Sequence, residues 1–276
     1  MESINDYYIH NFKLLESSNF DEKILKEGTS IYEVIRIENT IPLFLENHLN
    51  RLFHSADISN LNIDLSYCDI EILIEQLIKK NKVLNGKIKI VALYNSNNKS
   101  EKELLIYFTP HYFPTKFEIL EGVNIGICKV TRTNPNAKIL NTKARAKADK
   151  SITKKKLFEV LLQNDAGYIT EGSRSNIFFI KNNTIFTPPE NDILMGITRN
   201  NIISVCNQYN INIIEKKIHS SEISEMDSAF ISGTSLKVLP VRCIETQIFN
   251  TRNSILMDII TLYDAMIEEY VLSKLS

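Results

Sequence analysis

The sequence predicts an α+β chain of two domains. A smaller N-terminal α/β domain spans residues 1–112, and a larger C-terminal domain with a curved, mainly antiparallel sheet spans 113–276. Three observations predict it. The first third interleaves strand-like and helix-like segments. A passage with Pro110 and Pro114, "TPHYFPTKFEILEG", then breaks the pattern and marks the domain connection. Beyond it come mostly short apolar strands at regular turn spacing.

The elements follow in order. "TSIYEVIRIEN" and "TIPLFLENHLNRLFHSADISN" read as a strand, a turn, a short strand and a helix. "DIEILIEQLIKKNKVL" has its apolar residues at helical spacing. "KIKIVALYN" and "ELLIYFTP" read as strands joined by the polar turn "SNNKSEK". After the prolines, "VNIGICKV" resumes as a strand, "TKARAKADKSITKKKL" is a charged helix, and "FEVLLQ", "GYIT", "NIFFIK" and "TIFTPP" are short strands. "ITRNNIISVCNQYN" is helical, "INIIEKKI" a strand, "SSEISEM" a short acidic helix, "SAFIS" and "VLPVRCIE" strands around "GTS", and "SILMDIITLYDAMIEEYVLSKL" a closing helix.

Composition narrows the function classes. The 276 residues are 43% hydrophobic and 24% charged, enough apolar material for a real core. Thirty-two basic against 33 acidic residues leave a net charge of -1, so no whole-protein field attracts nucleic acid or an anionic membrane. Cys68, Cys128, Cys206 and Cys243 form no C-x-x-C pair, and "MESINDYYIHNF" has no signal-peptide pattern. A cytoplasmic protein with reduced thiols is expected. No apolar run reaches the roughly 20 residues of a membrane span. The five histidines lack ligand spacing, so no metal is expected.

Five features bear on chemistry. In "YITEGSRSN", Glu171 sits between two segments that read as buried. A carboxylate out of water needs a partner, so something cationic should face it. In "LMGITRN", a glycine precedes a helix start with Thr198 near the cap, which describes either a phosphate cradle or an ordinary capped turn. Thr234 and Ser235 in "ISGTSLKV" either donate to an anion or merely connect strands. His48, Arg51 and Ser55 in "NHLNRLFHSA" recur at helical spacing beside apolar residues, so Arg51 either reaches inward to an anion or snorkels to solvent. Lys138 in "NPNAKILN" lies in a short uncharged segment, unlike Lys143, Lys147, Lys150, Lys154, Lys155 and Lys156 in the charged helix. Partial burial would lower its pKa and make its amine a usable nucleophile.

As a set, "GTSIYEVIRI", "HLNRLFHSA", "NAKILN", "GYITEGSRSNIFFI", "TPPENDILMGITR" and "FISGTSLKVLPV" resemble the class IV aminotransferases. These are the fold type IV pyridoxal-phosphate enzymes, which include branched-chain and D-amino-acid aminotransferases and aminodeoxychorismate lyases. The motifs occur in the family's order from about residue 28 to residue 245. The resemblance implies pyridoxal 5'-phosphate as cofactor, bound by the C-terminal domain. It implies that Lys138 forms the internal aldimine and shuttles a proton between the substrate's α-carbon and the cofactor. It implies that Glu171 pairs with the pyridine nitrogen, supplying from the cofactor rather than from a side chain the cation that Glu171 requires. Ser173 and Ser175 would lie close enough to line the ring.

By the same resemblance Arg51, Ile197, Thr198 and Thr234 bind the phosphate, Tyr32 and Glu33 line the substrate side, and Ser235 contacts substrate. It implies a homodimer with its active site between two domains, acting on an amino acid and a 2-oxo acid. The default donor is branched-chain or a similar apolar amino acid. The alternative is 4-amino-4-deoxychorismate lyase releasing pyruvate, with a D-amino-acid aminotransferase or a catalytically inactive homologue as further readings. Three departures qualify this. "KIKIVALYN" lacks the Arg-x-His of D-amino-acid enzymes, Asn141-Thr142 stands where branched-chain enzymes have Asn-Tyr, and Lys87 and Lys89 stand where those enzymes have Tyr and Arg.

Overall fold

The structure is a computed structural model that describes residues 2–26, 28–95, 102–140 and 142–275. Apart from Lys102, the polar turn expected over "SNNKSEK" lies outside the described residues, as does Asn141. The chain divides into two compact units. One comprises Met1–Tyr112, Ala137–Asn141 and Glu268–Ser276, and the other Phe113–Asn136 and Thr142–Ile267. The segment around Lys138, expected within 113–276, therefore packs with the first unit.

In the first unit, strands β1 (Tyr7–His10), β2 (Lys13–Glu16), β3 (Thr29–Glu38) and β4 (Ile41–Pro42) precede helices α1 (Leu45–Ile58) and α2 (Tyr67–Asn81). Strands β5 (Gly86–Tyr94) and β6 (Lys102–Phe108) complete a six-stranded sheet in the order β2-β1-β6-β5-β3-β4. Alternation along β3 sends Ile31, Ile35 and Ile37 to one face, where they join Leu49 and Leu52 of α1 and Ile70, Ile74 and Leu77 of α2 in one core. Each such fully buried side chain contributes about 1.5–3 kcal/mol. The other face carries Val91, Leu93, Leu105 and Tyr107, with Tyr32 and Leu140 packed beside them. Gly28 admits no side chain: its φ is +66°, and a Cβ there would lie 2.0 Å from the Tyr94 carbonyl oxygen.

The second unit opens with a helix where the sequence suggested only a break. In "FPTKFEIL", Thr115 and Glu118 form a capping box that starts α3 (Lys116–Glu121). Strand β7 (Val123–Lys129), helix α4 (Lys143–Lys155) and strands β8 (Glu159–Gln163), β9 (Tyr168–Gly172), β10 (Asn176–Lys181) and β11 (Thr184–Thr187) follow. Then come α5 (Ile197–Gln208), β12 (Ile213–Glu215), β13 (Ile218–His219), β14 (Ser228–Gly233), β15 (Lys237–Ile244), β16 (Gln247–Ile248) and α6 (Ser254–Leu275), whose residues from Glu268 on are counted with the first unit. The expected short acidic helix is a 3-10 turn, Ser220–Glu225.

The sheet runs β12-β11-β10-β14-β15-β7-β8-β9-β13, with β16 paired to β15. It is mainly antiparallel, as expected, with parallel pairs at β11/β12, β15/β7 and β7/β8. Its core centres on Ile177, Phe179, Ile231, Leu239 and Val241. Among the described residues, no helix is long and apolar enough to cross a membrane.

Candidate active site

The first unit holds a buried charge cluster around Glu33. His48, Arg51 and Ser55 lie along one stripe of α1 and are 2%, 8% and 0% exposed, so the stripe faces inward rather than into solvent. The Arg51 fork closes on Glu33: Nε donates to Oε1 at 2.7 Å and Nη2 to Oε2 at 2.8 Å. His48 Nδ1 lies 2.8 Å from Oε2. Burial alone would raise the Glu33 pKa, but the charges of Arg51 and Lys138 and the bonds from Arg51 and His48 hold it well below the usual carboxylate range. Burial also pushes the His48 imidazole down, with Arg51 and Lys138 adding to the effect against the bond to Glu33. Neutral His48 facing an ionised carboxylate must donate from Nδ1.

Tyr32 and Glu33 are consecutive strand residues and face opposite sides. Glu33 belongs with Arg51. Arg51 in turn is not an anion ligand waiting in isolation but one half of a buried ion pair.

Lys138 is held by its backbone. Its N-H donates to Ser55 Oγ at 3.3 Å, and its carbonyl accepts from Tyr32 N-H at 3.0 Å. The Leu140 N-H to Ser30 carbonyl bond continues the pairing along β3. The half-buried Lys138 side chain places Nζ 5.2 Å from the Tyr32 ring centroid. Lys89 is on the same face and only 8% exposed, with Nζ 5.7 Å from the Tyr32 ring and 5.8 Å from the Tyr107 ring. Its ammonium and the Tyr107 hydroxyl both donate to Glu2 Oε2, each at 3.3 Å. Burial, with Glu2 adding, raises the Tyr107 pKa and keeps that hydroxyl a donor.

In the second unit Glu171 is buried on β9, 3% exposed, and a cation does face it. That cation is a side chain. Arg132 Nη1 donates to Oε1 at 2.6 Å, and the Leu194 N-H donates to Oε2 at 3.1 Å. The expectation that only a cofactor would supply the charge is thus corrected. Arg132 carried no sequence signal, because it lies in an irregular segment 39 residues from its partner. Ser173 and Ser175, expected to line a ring, turn their hydroxyls to Glu159 instead.

Helix α5 begins at Gly196, which is its N-cap, so Thr198 is not the capping residue. Gly196 offers no side chain to cap this end, so among the described residues the first-turn N-H groups have no N-cap acceptor. Ile197 and Thr198 are 7% and 4% exposed. A Cβ at Gly196 would lie 2.0 Å from Asn176 Oδ1, so any side chain there would have to displace the Asn176 amide. Thr234 and Ser235 follow β14 and are half-buried.

A family-level comparison matches residues 30–244 to "Amino-transferase class IV". The chain belongs to the class IV aminotransferases. A D-alanine aminotransferase of Bacillus licheniformis is 28% identical over 254 residues, 87% of this chain and 88% of that one. A probable branched-chain-amino-acid aminotransferase of Rickettsia bellii is 29% identical over 228 residues, 78% of each chain. The crystal structure of the Escherichia coli branched-chain amino acid aminotransferase superposes with a TM-score of 0.87 at 21% identity, covering 96% of this chain and 95% of that one. Enzymes of this class depend on pyridoxal phosphate, and the relatives named here are aminotransferases.

Proposed function

We propose that this chain transfers the amino group of a branched-chain or similar apolar amino acid to a 2-oxo acid, with pyridoxal 5'-phosphate held on Lys138. The observation that carries the reading is the Lys138 amine, half-buried beside the Tyr32 ring in a segment pinned to β3 and α1, within the stretch that matches the family. The other residues suit the cofactor. The start of α5 and the Thr198 and Thr234 hydroxyls suit a phosphate, as does the Arg51 guanidinium. The buried Glu171 carboxylate suits a protonated ring nitrogen.

When bound, the cofactor supplies a carbonyl that takes up the amino group and a ring that accepts the electron pair released at the substrate's α-carbon. Lys138 Nζ would take the proton from the α-carbon of the amino donor and, in the second half-reaction, supply one to the α-carbon of the new amino acid. Glu171, fixed by Arg132 and the Leu194 N-H, holds a proton at the ring nitrogen. Lys89 and Tyr107 already share one carboxylate, that of Glu2, and we assign them to a substrate carboxylate. Glu33 and His48 orient Arg51. Ser235 is assigned to substrate and the assembly to a homodimer, both by resemblance alone.

The test is an amino-donor screen of the protein loaded with pyridoxal phosphate, using L and D forms of each donor with 2-oxoglutarate and following glutamate. Glutamate from L-leucine, L-isoleucine or L-valine, lost in Lys138→Ala, supports the reading. Pyruvate from aminodeoxychorismate without any amino transfer refutes it, and so does full transamination by Lys138→Ala.

A further inference from the structure

The turn after Glu171 is held by a buried acid that the chemistry above does not use. Glu159 opens β8 and is 2% exposed. Its Oε1 accepts from the Val160 N-H at 3.0 Å, the Ser173 N-H at 3.2 Å and the Ser173 hydroxyl at 2.5 Å. Its Oε2 accepts from the Arg174 N-H at 3.1 Å and the Ser175 hydroxyl at 3.3 Å. Among the described residues no basic side chain pairs with it. The Arg174 guanidinium turns instead to Asp149, at 2.7 Å. A buried carboxylate satisfied only by neutral donors holds those donors firmly, because leaving either side unpaired carries the full desolvation penalty.

Four of the five donors come from residues 173–175, and this turn has two shoulders. One is Gly172, next to Glu171, whose N-H donates to the Ser175 carbonyl at 2.8 Å. The other is Asn176, whose Nδ2 donates to the Leu194 carbonyl at 3.0 Å and whose Oδ1 closes on Gly196 at the start of α5. Leu194 in turn donates its N-H to Glu171. We infer that Glu159 is a positioning residue for Glu171: it fixes the 173–175 turn and, through Asn176, the Leu194–Gly196 segment that holds the second oxygen of Glu171. The inference rests on the role given to Glu171 above.

Glu159→Gln keeps the shape but turns one acceptor oxygen into an amide N-H₂ facing N-H and O-H donors. Ser173→Ala is the milder companion, removing only the 2.5 Å hydroxyl bond. The first readout is amide hydrogen exchange of the protein without added cofactor. Exchange at 172–176 and 194–196 should rise at least tenfold in Glu159→Gln, and by less in Ser173→Ala, with the rest of the sheet unchanged. The second is a kinetic cycle on the loaded protein with Glu171→Gln and the Glu159→Gln/Glu171→Gln pair.

Glu159→Gln should lower kcat at least tenfold with KM changed less than threefold, and the double variant should be no slower than Glu171→Gln alone. Glu159→Asp should restore part of the kcat. Effects of the two substitutions that multiply would overturn the inference while leaving the role of Glu171 intact. Unchanged exchange at 172–176 would also overturn it. Normal turnover by Glu171→Gln would instead remove the reading of Glu171, and the positioning role with it. Should Glu159→Gln not fold, Ser173→Ala decides: raised local exchange together with lowered kcat supports the inference, and the absence of either overturns it.

Discussion

Glu33→Gln is the sharpest perturbation of the buried cluster. Glutamine keeps the shape of Glu33, but in either orientation its amide N-H₂ faces an N-H of the Arg51 fork, so donor meets donor where a carboxylate oxygen accepted. Arg51 is left as a guanidinium only 8% exposed without its counter-charge. Removing one partner of such a pair costs about 3–5 kcal/mol, far more than the pair contributes against an apolar replacement. At roughly 3 °C per kcal/mol for a region of this size, the unfolding transition should fall by about 10 °C. Calorimetry and urea titration of the cofactor-free protein measure it. Glu33→Leu/Arg51→Met, which removes both charges, should lie closer to wild type than Glu33→Gln does. A loss of less than about 1 kcal/mol in Glu33→Gln would show that Arg51 does not depend on Glu33, and the reasoning would fail.

Other outcomes follow from the same geometry. Folded-state pKa values are depressed for both Glu33 and His48, so each contributes stability that is present above its unfolded pKa and lost as pH falls. Stability by urea titration should begin to decline below about pH 6.5 as unfolded His48 gains a proton, and decline further below about pH 4 with Glu33. A flat profile from pH 7 to 4 contradicts this. Arg132→Gln should destabilise the second unit by about 3 kcal/mol, because it strips the charge partner from a buried carboxylate, and should slow turnover at least tenfold; wild-type stability and rate would exclude the contact. Gly28→Ala should cost about 2 kcal/mol through a positive φ and a collision with the Tyr94 carbonyl, and an unchanged melting temperature would count against that backbone.

Much of the fold was legible because the signals were local. Alternation identified β3, β5 and β6, the 3.6-residue period identified α1, α2 and α5, and one stripe of α1 already brought His48, Arg51 and Ser55 together. Lys138 stood out by its uncharged neighbours. What stayed hidden depends on partners distant in sequence. Nothing local joins Glu33 to Arg51, 18 residues on, or Arg132 to Glu171, 39 residues on. Glu159 reads only as a strand end until the turn it grips is folded against it. Two local signals were present and missed. Thr115-x-x-Glu118 announces α3 despite the nearby prolines, and Asn11 and Phe12, both at positive φ, form the tight turn of the β1–β2 hairpin. That Tyr32 and Glu33 point to opposite faces follows from their being neighbours on a strand.

The central claim is that Lys138 is the amine that carries pyridoxal phosphate. The direct measurement is to load the protein with pyridoxal phosphate, reduce it with borohydride, digest it and locate the pyridoxyl group by mass spectrometry. A stoichiometric pyridoxyl group on Lys138, absent from Lys138→Ala, is the predicted result. No label, or label scattered over surface lysines such as Lys150 and Lys154 with Lys138 unmodified, would contradict it.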